Sequence, residues 1–213
     1  KKQAAIPSVA PSKGARSEKP ERMRKMQITL RLAAAEEKEI LRNLLEKYAY
    51  EFSQWDGRDV NALGLYGYDY LDCYWTEKNR WAYFLLADGR LAGFAMVNDF
   101  PEAAEPTDYT LAEFFVLFKY RRRGVGRTAA RALFDRFRGR WQVKRHPANS
   151  ASVRFWDAVI REYTGGRYRL ETAVPGTEYE DGTPGDIYFF DNGGGAGGAA
   201  SGHRGDCRDA ARK

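Results

Sequence analysis

Cysteine is nearly absent from this chain: Cys73 and Cys207 are its only two. They make no disulfide framework, and with Cys207 in a glycine-rich tail they offer no metal site. Long apolar runs are missing too. No stretch approaches the roughly 20 residues of a membrane span, and the basic amino-terminal segment lacks the apolar centre of a secretion signal. The expectation is a cytoplasmic protein with no membrane partner and no metal. The chain opens on Lys1, as a trimmed product would, with Met23 or Met26 as candidate natural starts of the domain.

A uniformly basic surface is also lacking, although the formal net charge is +6. Residues 1–25 hold eight Lys and Arg against two Glu, a net +6; residues 192–213 hold four against two Asp, a net +2. That leaves −2 for residues 26–191. The basic character belongs to the ends, so nucleic acid is not an expected partner. Residues 1–25, rich in Pro, Ser, Lys and Arg without apolar periodicity, are expected to form a disordered basic tail. Residues 192–213, with the run Gly193 to Ala200, are expected to form a Gly-rich disordered tail. One domain over 26–191 remains, and 43% hydrophobic residues suffice for its core.

Within 26–191 the pattern predicts a strand at Gln27–Leu32 and a helix at Ala34–Tyr50, where Ile40, Leu41, Leu44, Leu45 and Tyr48 recur at three- and four-residue spacings. A second short helix follows at Tyr68–Trp75. Arg80–Ala87 and Arg90–Asn98 form a hairpin around Asp88-Gly89, the residue pair that favours a tight turn. Then come a strand at Tyr109–Phe118, a helix at Val125–Phe137, a strand at Trp141–Arg145 and a helix at Ser150–Tyr163. Two last strands lie near Arg167–Ala173 and Ile187–Asp191. Hairpins combined with one strand–helix–strand crossover predict an α/β chain of the α+β kind, a central mixed β-sheet with helices on both faces.

The segment with the most chemistry runs from Phe114 to Arg127. A strand delivers the chain into Arg121-Arg122-Arg123-Gly124-Val125-Gly126-Arg127, which opens directly into a helix. Backbone N–H groups at a helix start lack intrahelical partners, and the helix dipole places partial positive charge there. Glycines admit close approach, and four arginines surround the turn. This combination suits a pyrophosphate or another dense anion. Gly124-Val-Gly126-Arg-Thr-Ala129 also satisfies the dinucleotide pattern, and Lys144 and Arg145 stand where a 2′-phosphate would need charge. Four polar residues, however, separate the strand from the first glycine, and a preceding antiparallel hairpin does not suit a doubly wound sheet.

Arg121-x-x-Gly124-x-Gly126 resembles the (Gln/Arg)-x-x-Gly-x-(Gly/Ala) signature of the GNAT acetyltransferase superfamily, placed after the fourth strand. Asn149 to Trp156 resembles that family's second motif, Asn-x-x-(Ala/Ser)-x-x-Phe-Tyr, placed after the fifth. The resemblance covers about 26–191, strand order included. It implies an acyl-CoA N-acyltransferase fold with strands 4 and 5 splayed apart, and acetyl-CoA as co-substrate. The backbone of Phe114, Phe115 and Val116 is then expected to pair with the pantetheine arm. The amides of Arg122 through Arg127 are expected to cradle the pyrophosphate, and Asn149 to contact the pantetheine or position a water.

The sequence departs from the family at two places. Trp156 stands where many relatives carry a tyrosine thought to protonate the leaving thiolate, and Lys144 where some place a glutamate base. Glu113 is the preferred base, and His146, beside Pro147, a second candidate proton acceptor. Between Tyr48 and Trp75, carboxylates and aromatic residues alternate, with Glu51, Trp55 and Tyr70 as candidate acceptor-binding residues. Carboxylates beside aromatic faces suit a small amine acceptor, cationic in form. The expected function is N-acetyl transfer from acetyl-CoA to such an amine, in a monomer or homodimer. The alternatives are a catalytically degenerate acyl-CoA sensor or interaction module and an NADP-binding oxidoreductase.

Overall fold

The computed structural model describes residues 26–194; the tails expected at 1–25 and beyond 194 lie outside the described residues. Seven strands form one sheet in the order β1-β2-β3-β4-β5-β7-β6. They are β1 (Ile28–Leu32), β2 (Arg80–Ala87), β3 (Arg90–Asn98), β4 (Tyr109–Val116), β5 (Arg140–Arg145), β6 (Arg169–Glu171) and β7 (Asp186–Asp191). Four helices accompany them: α1 (Lys38–Asp56), α2 (Cys73–Thr76), α3 (Val125–Arg136) and α4 (Ser150–Thr164). Only β4 and β5 pair in parallel; every other neighbouring pair is antiparallel. This mixed sheet excludes the doubly wound dinucleotide alternative, which requires parallel strands.

Each face of the sheet carries its own core. Leu41, Leu44 and Leu45 of α1, with Leu71 and Tyr74, bury Phe84, Phe94, Met96 and Phe115 on one face. Ala129, Leu133 and Phe134 of α3 and Trp156, Val159 and Ile160 of α4 bury Leu85, Val97, Leu111 and Trp141 on the other. Helices therefore cover both faces, as the alternating pattern predicts.

The boundaries shift where tertiary contacts outweigh local pattern. α1 runs six residues past Tyr50, to Asp56, and stops at Gly57, whose φ of +68° reverses the helix. α2 shrinks to a single turn. β4 ends at Val116, and Phe118–Tyr120 forms a 3₁₀ turn. Asp88 (φ +48°) and Gly89 (φ +75°) make the expected tight β2–β3 turn.

Two irregularities in the sheet shape the ground between β4 and β5. These strands are hydrogen-bonded only through Tyr109–Trp141 and Thr110–Gln142, so β4 from Leu111 onward and β5 from Val143 onward diverge. The β3–β4 register also slips: Met96 faces Glu113 and Val97 faces Leu111, leaving Ala112 as a bulge. A one-residue slip exchanges the two faces of a strand. Leu111 points to the α3/α4 core, whereas Glu113, opposite Met96, points with Phe115 to the α1 face.

Candidate active site

The divergence of β4 and β5 opens a crevice of about 440 Å³. Glu113 and Ala112 line it from β4, Lys144, Arg145 and His146 from the end of β5, and Tyr48 and Phe52 from α1. Arg58, Tyr68, Glu102, Glu178, Tyr179 and Glu180 complete the wall from three loops.

Glu113 is half-buried in this crevice. Burial pushes its carboxyl up to about 7, and the nearby Glu102 charge adds to the rise, while hydrogen bonds from the Tyr48 and Tyr68 hydroxyls and the Arg58 charge oppose it. Both tyrosines are themselves driven upward by burial, so they stay protonated and act as donors. A carboxyl poised near 7 beside two fixed donors can take and release a proton at physiological pH. The cations of the crevice are paired. Arg58 Nε donates to Asp56 at 2.6 Å, Lys144 Nζ lies 3.3 Å from Glu102, and Arg145 Nε lies 3.4 Å from Asp186. Lys144 Nζ also sits 4.5 Å from the centre of the Tyr179 ring.

At the other end of the splay, Arg121 to Arg127 turn into α3. Gly124 adopts φ +79°, open to glycine at little cost, and Arg122 shares the left-handed region at φ +58°. Gly126 has a different requirement: a Cβ there would lie 3.1 Å from the Phe155 ring. Among the described residues the backbone amides of Arg122 through Arg127 find no hydrogen-bond partner, and the first helical bond runs from Thr128 N to Gly124 O. Backbone donors left over at a helix start flanked by arginines fit a phosphate group.

A family model for the GNAT acetyltransferases matches residues 40–159, more than half of the chain. The chain belongs to the GNAT acetyltransferase family. Solved GNAT-like structures share its fold at low identity. An acetyltransferase from Thermus thermophilus superposes with a TM-score of 0.56 at 17% identity, covering 79% of this chain and 99% of the other. A spermidine N-acetyltransferase from Vibrio cholerae, solved with CoA and spermine, gives 0.55 at 11%, covering 78% and 96%. The ribosomal-protein-S18-alanine N-acetyltransferase of Escherichia coli gives 0.51 at 12%, covering 82% and 100%. No curated protein sequence matches.

Within this GNAT domain several expected site residues prove to be engaged elsewhere. Arg121 does not offer its side chain to the turn: Nε donates to Val116 O at 2.7 Å, and both Nη groups bind Glu51 at 2.6 Å. Glu51, expected to meet the acceptor, pairs with Arg121 and is not among the residues that line the crevice. Trp55 packs against Phe52, at 5.7 Å between ring centres, and Tyr70 lies exposed with the Arg80 guanidinium 5.9 Å from its ring centre. Neither meets the crevice.

His146 also departs from expectation. Its ring is buried, and Nδ1 accepts the Ala148 N–H at 3.2 Å, so the neutral ring carries its proton on Nε2. With one nitrogen accepting and the other protonated, it has no lone pair for a substrate proton. Asn149 caps α4, its Oδ1 accepting Ser152 N at 3.0 Å. Phe114 buries its ring against Phe155 and Trp156, leaving only backbone for a ligand.

Tyr48 and Tyr179 are the lining residues that the sequence concealed. Tyr48 falls on the apolar stripe of α1, so periodicity assigns it to the core. Tyr179 sits in a turn-rich segment without periodic signal. No local pattern distinguishes either; a carboxylate across the sheet does.

Proposed function

We propose that this GNAT protein transfers an acetyl group from acetyl-CoA directly to the amine of a small, cationic acceptor, with Glu113 as the general base. The observation that carries this reading is the β4 bulge, which turns Glu113 into the crevice where β4 and β5 part. The free amides of Arg122 to Arg127 suit the pyrophosphate of the donor, and the unpaired edge of β4 over Phe114 to Val116 suits its pantetheine. Acetyl-CoA supplies an activated thioester.

The residues of the chain supply the rest. Arg58, Lys144 and Arg145 are paired with Asp56, Glu102 and Asp186, which leaves Glu113, Glu178 and Glu180 as the acidic groups of the wall, so a protonated amine is drawn in. Phe52 and Tyr179 offer ring faces to it. Glu113 accepts the proton that the amine must lose before attack, and a positioned base contributes about 10²–10⁴-fold. Tyr179 keeps its proton at neutral pH and stands as a candidate donor to the departing thiolate; Tyr48 and Tyr68 direct theirs to Glu113, and Trp156, packed in the core, cannot take that role. The spermidine and S18-alanine enzymes of the same fold act on amines of unlike size. The shape and charge of this crevice favour the small cation.

A binding-only reading draws support from Trp156 and Lys144 at the two positions where relatives place acid and base. Calorimetry with acetyl-CoA and CoA, followed by thiol release with a panel of amines, separates the two. Binding without release on any amine would sink the enzyme.

A further inference from the structure

His146 stands at the junction of three elements. Its main-chain oxygen accepts Asn149 N at 3.1 Å and its Nδ1 accepts Ala148 N, so it shapes the turn that starts α4. Its ring lies 4.6 Å from Tyr179 and 6.0 Å from Phe52, measured between ring centres. Nε2, which must carry the proton, is buried without a hydrogen-bond partner among the described residues, and the nearest carboxylate oxygen, Asp181 Oδ2, stands 3.6 Å away. A buried donor without an acceptor costs about 1–3 kcal/mol, and Asp181 is the carboxylate placed to offset it.

Asp181 belongs to the β6–β7 loop, residues 172–185. It closes a tight turn there: Oδ1 accepts Thr183 N at 3.0 Å and Oδ2 accepts Thr183 Oγ1 at 2.5 Å. Tyr179 N donates to Thr183 O at 3.0 Å, so Glu178, Tyr179 and Glu180, which line the crevice, move with Asp181. We propose that His146 is a positioning residue, whose Nε2–H latches the 172–185 loop through Asp181 and so holds Glu178, Tyr179 and Glu180 as the acceptor wall of the crevice. Its consequence for the amine rests on the acyl-transfer reading; the latch itself does not.

Three variants separate the two ring nitrogens. His146→Asn can place an amide oxygen near the position of Nδ1 but cannot reach Asp181, whereas His146→Gln can reach Asp181 and abandons the Ala148 amide. Asp181→Ala removes the latch together with the two bonds to Thr183, at an exposed position outside the core, so His146→Asn, which leaves the Thr183 bonds in place, isolates the latch. Hydrogen–deuterium exchange of the 172–185 amides should quicken about fivefold or more in His146→Asn and Asp181→Ala and stay near the parent in His146→Gln. In Asp181→Ala the amine KM should rise about tenfold, with acetyl-CoA affinity within about twofold of the parent. Unchanged loop exchange in both His146→Asn and Asp181→Ala would overturn the latch. Faster exchange with an unchanged amine KM would overturn its role in acceptor binding. Absence of thiol release in the parent would refute the transfer reading alone, and the exchange data would still decide the latch.

Discussion

Arg121 grips Glu51 across 70 residues of sequence, each guanidinium Nη meeting one carboxylate oxygen at 2.6 Å. The pair moors the arginine turn to α1, while Arg121 Nε secures Val116 O at the end of β4. The first residue of the signature thus serves the shape of the turn, and in the proposed function the anion falls to the amides that follow. Side chains about one-third exposed place this ion pair at the modest end of such interactions, up to about 1 kcal/mol.

Loss of the mooring should therefore loosen the donor site without unfolding the domain. Arg121→Ala is expected to weaken acetyl-CoA binding about five- to tenfold, and Glu51→Gln by less, because Arg121 keeps its bond to Val116. Amine KM should hardly change. Calorimetry and steady-state kinetics on the two variants check this, and a large amine effect in Glu51→Gln would return Glu51 to the acceptor site.

Gly124 and Gly126 should fail for different reasons. Gly124→Val forces a β-branched residue to φ +79°, and Gly126→Val drives a side chain into Phe155. Each is expected to weaken acetyl-CoA at least about tenfold by disturbing the amide cluster. In Gly126→Val the packing clash should also lower thermal stability. Unchanged acetyl-CoA affinity in both variants would count against the pyrophosphate turn.

Glu113→Gln should lower kcat by roughly 10²-fold with little effect on acetyl-CoA affinity. In the parent the acidic limb of the pH–rate profile should fall near 7, where burial holds the carboxyl, and the variant should lose it. If the limb instead follows the pKa of each amine tested, the acceptor arrives already neutral and Glu113 is not the base.

The same substitution should stabilise the protein, and the pH dependence has a definite sign. Glu113 has a folded pKa of about 7 against an ordinary 4.5. Between those values the unfolded chain sheds a proton that the folded chain keeps, so stability falls as pH rises through the window and the penalty persists above it. Glutamine never ionises. Glu113→Gln should therefore melt several degrees higher than the parent at pH 8 and close to it at pH 4, by calorimetry or circular dichroism. An equal difference at both pH values would show that Glu113 is not held in a desolvated site.

Trp156→Tyr should not raise kcat. The indole is buried against Phe114 and Phe155 in the α3/α4 core, so a phenol in its place stays there and leaves unfilled volume. A loss of about 1–2 kcal/mol in unfolding free energy is expected. A gain in kcat would mean that thiolate departure limits turnover.

The order of elements, the β2–β3 hairpin with its Asp88-Gly89 turn, and the strand–turn–helix at Arg121 to Arg127 were all legible in the linear chain. They rest on local chemistry: hydrophobic period, residues that tolerate left-handed backbone, and the amides that every helix start leaves free. Which residues meet in the crevice was settled only by packing. The Ala112 bulge exists only relative to β3, since register is a property of two strands, yet it selects the face on which Glu113 emerges. Glu51, read from composition as an acceptor carboxylate, pairs with Arg121, and Tyr48, read from its period as core, packs its ring on Phe94 and Phe115 and also reaches Glu113 with its hydroxyl. Both outcomes depend on contacts between segments far apart in the chain, where burial and pairing change what a side chain can do and no local pattern records the partner.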